Sequence, residues 1–144
     1  MTADDALSEL PQKPPFLFVD KVLGHTDLTI AAVFSYELDH PIVMAHRNVG
    51  NSIPGSVLME QAAQTALVLA KLHTLVPAEM PLLVGALQGK FLRPVIAPSQ
   101  VICRVAIVYS RSVQIGFKSE LEVGGEVSAR VKGACSILSA SEAK

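Results

Sequence analysis

His46, Gly55 and Glu60 are the residues of this 144-residue chain whose types and spacing suit chemistry more than packing. They lie in AHRNVGNSIPGSVLME, residues 45 to 60, where a polar, glycine-bearing loop meets an apolar segment through a Pro-Gly pair. An imidazole serves as a base near neutral pH, a carboxyl group can donate or accept a proton, and a helix opening at Pro54-Gly55 presents unpaired backbone N–H groups with partial positive charge. Those donors suit an oxyanion. A base, an acid and backbone donors beside an apolar wall meet the needs of proton removal next to a carbonyl: one group takes the α-proton, donors hold the enolate-like oxygen, and an acid assists the leaving group. A site of that kind can dehydrate a β-hydroxy thioester. Taken singly, each residue also has a plainer reading, His46 as a solvated loop histidine and Glu60 as a carboxylate favoured by the helix dipole.

The element that must carry Gly55 and Glu60 is Pro54 to Leu75, rich in Ala, Leu and Met, and far too long for a strand in a domain of this size. It reads as a helix with Pro54 in its first turn and Pro77 ending the run. At about 100° per residue, Ser56, Glu60, Gln64 and Lys71 fall on one narrow stripe while Val57, Leu58, Met59, Ala62, Ala63, Ala66, Val68, Leu69 and Leu72 cover most of the rest. Such a helix must be wrapped. The wrapping is legible downstream, where Val113, Ile115, Phe117, Leu121 and Val123 alternate with polar or small residues at a period of two. Gly124-Gly125 makes a turn, and a second alternation follows through Val127, Ala129, Val131, Cys135 and Ile137 against Ser128, Arg130, Lys132 and Ser136. Val101 to Tyr109 is apolar on both faces apart from Arg104, so it belongs nearer the middle of the sheet, with a polar turn at Ser110 to Ser112. Phe16 to Leu23, Thr29 to Tyr36 and Leu82 to Leu92 complete six strand candidates. The class expected is α+β, a curved antiparallel sheet around one long central helix. Residues 1–9 form an extension or short helix, 139–144 a flexible tail, and the whole of 1–144 one domain.

Composition narrows the function. Hydrophobic residues make up 50% and charged ones 17%, and mean hydropathy is +0.41, against a usual charged share of about 25%. No stretch approaches the roughly 18 uninterrupted apolar residues of a membrane span, so the apolar excess points to a partner subunit. A net charge of −1 lacks the basic excess of a nucleic-acid binder. The opening MTADDALSEL is acidic where a secretory signal is basic and then apolar, which reads as cytoplasmic. Cys103 and Cys135 lie in apolar runs without CxxC spacing and read as buried reduced thiols. The chain carries no nucleotide, flavin or metal motif, so no cofactor is expected. His25, His40 and His73 suggest no pairing.

LPQKPPFLFVDKVL (10 to 23), His46 with PGSVLMEQAAQ (54 to 64), KFLRPV (90 to 95) and SELEVGGEVSARVKGACSIL (119 to 138) resemble four segments of the hotdog-fold 3-hydroxyacyl-[acyl-carrier-protein] dehydratases of fatty acid synthesis. The resemblance covers nearly the whole chain. It implies the hotdog fold, with His46 as base at the α-carbon, Glu60 as acid to the departing hydroxyl and the Gly55 N–H as donor to the thioester carbonyl. Val57, Met59 and Gln64 are the residues expected at the substrate. The resemblance further implies a homodimer, possible assembly into hexamers, and an active site in which His46 of one subunit faces Glu60 of the other. It also implies an acyl chain delivered on a phosphopantetheine arm by an acidic acyl carrier protein, for which Arg47, Lys90 and Arg93 are the candidate docking charges.

The chain departs from the family at three places. Arg47-Asn48 follows the histidine where the family has Phe-Pro, Ala97-Pro98-Ser99 replaces the usual Pro-Gly-Asp, and Gln12 stands where a histidine usually opens the first motif. These changes suggest a divergent member acting on an unusual acyl chain of fatty-acid or polyketide type. They leave open a hotdog thioesterase, or a non-catalytic acyl-binding subunit that pairs with an active homologue.

Overall fold

A computed structural model of the chain describes residues 1–73, 75, 82–111 and 114–137. Six antiparallel strands form one sheet in the order β1-β2-β4-β5-β6-β3, and a single long helix packs against one face of it. Strands β1 (Lys21–His25) and β2 (Thr29–Tyr36) precede the helix, while β3 (Leu82–Phe91), β4 (Ser99–Arg111), β5 (Gln114–Val123) and β6 (Glu126–Ile137) follow it. β4 occupies an interior position, as its two-sided apolar character requires. Gly124 and Gly125 join β5 to β6 at φ of 59° and 82°, the left-handed pair that a tight hairpin demands.

The helix, α3 (Gly55–Leu72), begins one residue later than its sequence suggests, with Pro54 as N-cap, and ends earlier, with His73 as C-cap in place of a run to Leu75. Val57, Ala62, Ala63, Ala66 and Val68 share one core with Phe18, Phe34, Tyr36, Val101, Cys103, Phe117 and Leu121. The expected polar stripe is broken. Ser56 is exposed and Glu60 and Lys71 are partly so, but Gln64 is wholly buried, together with Gln61 and Thr65. Each buried amide earns its place by hydrogen bonding: Gln61 accepts from the Tyr36 hydroxyl at 2.8 Å and donates to the Val101 carbonyl at 3.2 Å.

Gln64 also explains why β1 starts late. Phe16 to Asp20 was expected in the first strand, yet the Phe18 N–H donates to Gln64 Oε1 at 2.7 Å and the Phe16 carbonyl accepts from Gln64 Nε2 at 3.0 Å. Side-chain bonds to the helix thus replace the ladder until Asp20, whose N–H reaches the Val33 carbonyl. Residues 1–9 contain α1 (Ala3–Ser8), opened by a Thr2–Asp5 capping box. A five-residue helix, α2 (Pro41–Ala45), was not anticipated; His40 caps it, its Nδ1 accepting from the Ile42 N–H at 3.1 Å, and Pro41 sits where a missing N–H costs nothing. Ser112, Val113, Pro77 and the expected tail at 139–144 lie outside the described residues.

Candidate active site

His46 closes α2 and opens a 3-10 turn over Arg47–Val49. The chain then reverses through Gly50 and Asn51, both with positive φ, as the loop's Gly and Asn allow. Hydrogen bonds from Ile53 N–H to the Val95 carbonyl and from Ala97 N–H to the Asn51 carbonyl pin this reversal to the segment after KFLRPV. There the Ser99 hydroxyl donates to the Ile96 carbonyl, which is how Ala97-Pro98-Ser99 builds its turn.

The result is an oriented imidazole. His46 Nδ1 lies 2.7 Å from the Ser52 carbonyl oxygen. A carbonyl only accepts, so this contact assigns the proton to Nδ1 and leaves the Nε2 lone pair free to act as a base. A cleft of about 670 Å3 opens beside the ring, lined by His46, Ser52, Gly55, Phe91, Leu92 and Arg93 among others. Val57 and Leu58 donate to the Pro54 carbonyl, so the orphan N–H groups at the helix start are those of Gly55 and Ser56. The Phe91 ring covers Gly55 closely, since a Cβ there would lie 2.8 Å from it and would have to displace that side chain.

Glu60 sits one turn further along and does not line that cleft. Its Oε1 accepts from Gln64 Nε2 at 3.0 Å, so Gln64 ties the carboxylate to Phe16 and Phe18 at once. Glu60 also helps to raise the Cys135 thiol to about 11, an effect secondary to burial. Within one protomer, then, the cleft unites His46 with Gly55 and Arg93 and leaves Glu60 outside it.

The remaining expected residues separate in the same way. Val57 is buried in the core, Met59 is partly buried beside Gly89, and the Gln64 amide is fully engaged by protein partners. Arg47 and Lys90 are exposed and outside the cleft, while Arg93 lines it and pairs with Glu126. His25 and His73, for which the sequence suggests no pairing, meet with Nδ1 and Nε2 3.0 Å apart; 48 residues separate them, beyond any local pattern. The polar turn of Asn48, Gly50, Asn51 and Ser52, which the sequence suggests as a holder of the imidazole, does hold it, through the Ser52 backbone carbonyl, whereas Phe91 as cover of Gly55 was missed. Among the described residues no group of three or more His, Cys, Asp or Glu is arranged to hold a metal, and no helix is long and apolar enough to cross a membrane.

No protein-family model matches the chain. Bacterial relatives named 3-hydroxyacyl-[acyl-carrier-protein] dehydratase FabZ match at 27–30% identity. That of Klebsiella pneumoniae subsp. pneumoniae is 30% identical over 127 residues, covering 86% of this chain and 84% of its own. Among solved structures, the dehydratase heterocomplex ApeI:P from Xenorhabdus doucetiae superposes with a TM-score of 0.80 at 15% identity, over 99% of this chain and 95% of that one. A mutant thioesterase, PA1618 from Pseudomonas aeruginosa, superposes with a TM-score of 0.75 at 11% identity, over 96% and 94%. The sheet-wrapped helix is the hotdog fold.

Proposed function

Because the chain belongs to the FabZ family of 3-hydroxyacyl-[acyl-carrier-protein] dehydratases, we propose that it removes water from a 3-hydroxyacyl thioester carried on an acyl carrier protein, giving the 2-enoyl thioester. The observation that carries this reading is the cleft in which an oriented His46 and the open N–H of Gly55 meet. His46 Nε2 takes the α-proton. The electron pair moves into the thioester carbonyl, whose oxygen is held by the Gly55 N–H. It returns to form the Cα–Cβ double bond, the Cβ–O bond breaks, and the hydroxyl leaves as water with a proton from Glu60.

That Glu60 comes from a second copy of the chain. β3 is an edge strand of the sheet, and Val84, Phe91 and Leu92 on it or just beyond it are exposed, as are Met44, Val49 and Ile96. A second protomer added at this edge covers the apolar surface and brings its own helix towards the cleft. Val57 and Met59, on the turn before Glu60, then form the apolar wall, and Gln64 acts through the carboxylate it holds.

The test follows 3-hydroxyacyl-carrier-protein by mass. Loss of one water sustains the proposal, release of free acid marks a thioesterase, and no turnover from the folded protein at any chain length defeats it. Substituting His46→Ala or Glu60→Gln is expected to leave the fold intact and to lower the dehydration rate about a hundredfold or more. One observation favours a second reading: Arg47 and Asn48 form an exposed turn beside the base, where the family has an apolar, rigid pair. In that reading the chain is the non-catalytic partner of an active homologue, and activity appears only when the two are mixed.

A further inference from the structure

Between the core and the base lies a second histidine that the dehydration does not use. His40 is partly buried, with its ring centroid 5.7 Å from that of Phe34, 6.0 Å from Phe18 and 6.4 Å from Tyr36. Those three rings are themselves buried, and the Tyr36 hydroxyl is tied to Gln61 on α3. From this fixed position His40 grips α2 twice. Its Nδ1 accepts from the Ile42 N–H at 3.1 Å, and its carbonyl accepts from the Met44 N–H at 2.9 Å. The helix has five residues, too few to persist unaided. At its other end stands His46, whose N–H donates to the Val43 carbonyl at 3.1 Å. Because Pro41 has no N–H, the Ile42 donor is the first that the helix start leaves open, and an imidazole satisfies it.

We propose that His40 is a positioning residue for His46 that works only while its own ring is neutral, an inference that rests on the dehydratase reading above. The usual N-caps, Asp, Asn, Ser and Thr, keep an acceptor oxygen throughout the neutral range. Imidazole differs, because both nitrogens of its cation are donors. Protonation at Nδ1 sets N–H against N–H at Ile42, the cap is lost, and α2 loosens with His46 at its end. Neighbouring charges do not replace that bond. β2 brings only the Tyr36 phenol, the segment of Phe18 brings Asp20, whose carboxylate accepts from the Ser35 N–H at 2.9 Å, and α2 brings no ionisable side chain. Glu37 and Asp39 flank His40 and are exposed, and among the described residues His40 is in no ion pair. As pH falls through the range in which histidines gain a proton, about 8 to 5, the base is therefore unseated as well as protonated.

The experiment compares the full-length protein with His40→Ala, which removes the acceptor, and His40→Asn, which supplies one that does not titrate. With a 3-hydroxyacyl-carrier-protein substrate at pH 8, kcat should fall about fivefold to tenfold in His40→Ala, the size of a lost N-cap, with KM little changed. His40→Asn should recover most of it. The acid limb of kcat/KM separates this role from a merely structural one. In the unsubstituted protein the limb should be steeper than one proton allows, because His46 and His40 must both be neutral, and in His40→Asn it should have the slope of one proton. A one-proton limb in the unsubstituted protein, or an Asn variant as slow as the Ala variant, overturns the proposal. Amide hydrogen exchange tests it without turnover. Between pH 8 and pH 5, protection of the Ile42 N–H should drop about tenfold relative to that of the Ile53 N–H, which bonds the Val95 carbonyl, and should hold in His40→Asn. Equal relative protection at the two pH values overturns the proposal. Absence of turnover by the folded protein defeats the dehydratase reading alone, because the exchange result still decides the role of His40.

Discussion

A backbone carbonyl, and not a carboxylate, sets the orientation and tautomer of the His46 ring. Glu60 depends instead on a buried side chain. Replacing Gln64 with Leu strands the buried Phe18 N–H, removes a partner from the part-buried Phe16 carbonyl and frees the carboxylate. Urea denaturation should show a loss of about 1–3 kcal/mol for each group left unpaired, and dehydration should slow even where the protein remains folded. The thiols make a separate prediction. Burial raises Cys103 from its ordinary 9.0 to about 12, partly offset by a hydrogen bond with Thr65, and raises Cys135 to about 11. The folded chain therefore keeps protons that the unfolded chain releases once pH exceeds 9, and stability must fall as pH rises from there towards 11 and 12. The slope is about 1.4 kcal/mol per pH unit for each thiol. The Tyr36 phenol, also pushed up by burial, steepens it at the alkaline end. Urea midpoints at pH 8, 9 and 10 should show the decline, and Cys103→Ala, less stable throughout, should show a shallower one.

At the level of elements, the approach of β6 to β3 is set by a glycine. A Cβ on Gly133 would lie 2.6 Å from the Ala86 carbonyl oxygen, which is backbone and has no rotamer to give. Gly133→Ala should cost about 1–3 kcal/mol by overpacking, read as a lowered melting temperature. Gly24→Ala is the control: nothing lies within 4 Å of its Cβ position, and the loss of unfolded-state freedom should stabilise by about 0.4–1 kcal/mol. The same two strands mark what the sequence could and could not convey. A period of two in β5 and β6 is a local signal, and so is a long Ala-rich segment without breakers, which is why β2, the β5–β6 hairpin and most of α3 were legible. Ser128 breaks the alternation because a register shift after Leu121 pairs Glu122 with Val127 and Leu121 with Ala129, burying the serine between them. Gln61 and Gln64 look like a helix's solvent side until Tyr36, Val101, Phe16 and Phe18 arrive from distant positions to satisfy them. His46 and Gly55 could be singled out because the loop and Pro-Gly are contiguous with them. The Ser52 carbonyl that orients the ring carries no side-chain signature at all.

The whole molecule carries the hardest requirement, since one protomer presents its base in a cleft that its own Glu60 does not line. If the acid comes from the partner, two inactive variants must rescue each other. A chain with His46→Ala keeps Glu60, and a chain with Glu60→Gln keeps His46. In a mixed dimer, one of the two sites then holds both intact groups and the other holds neither. Random pairing makes half the dimers mixed, so an equimolar mixture unfolded and refolded together should regain about a quarter of the unsubstituted activity, from components that are each nearly inactive. Were base and acid contributed by the same chain, every site in the mixture would lack one of them and no activity would return. A further substitution separates assembly from chemistry. Lysines at Val84 and Leu92, both exposed at the free edge of β3, should shift sedimentation to the monomer while leaving the protomer's circular dichroism unchanged. Dehydration should disappear with the dimer, because the imidazole that remains has no carboxyl group across from it.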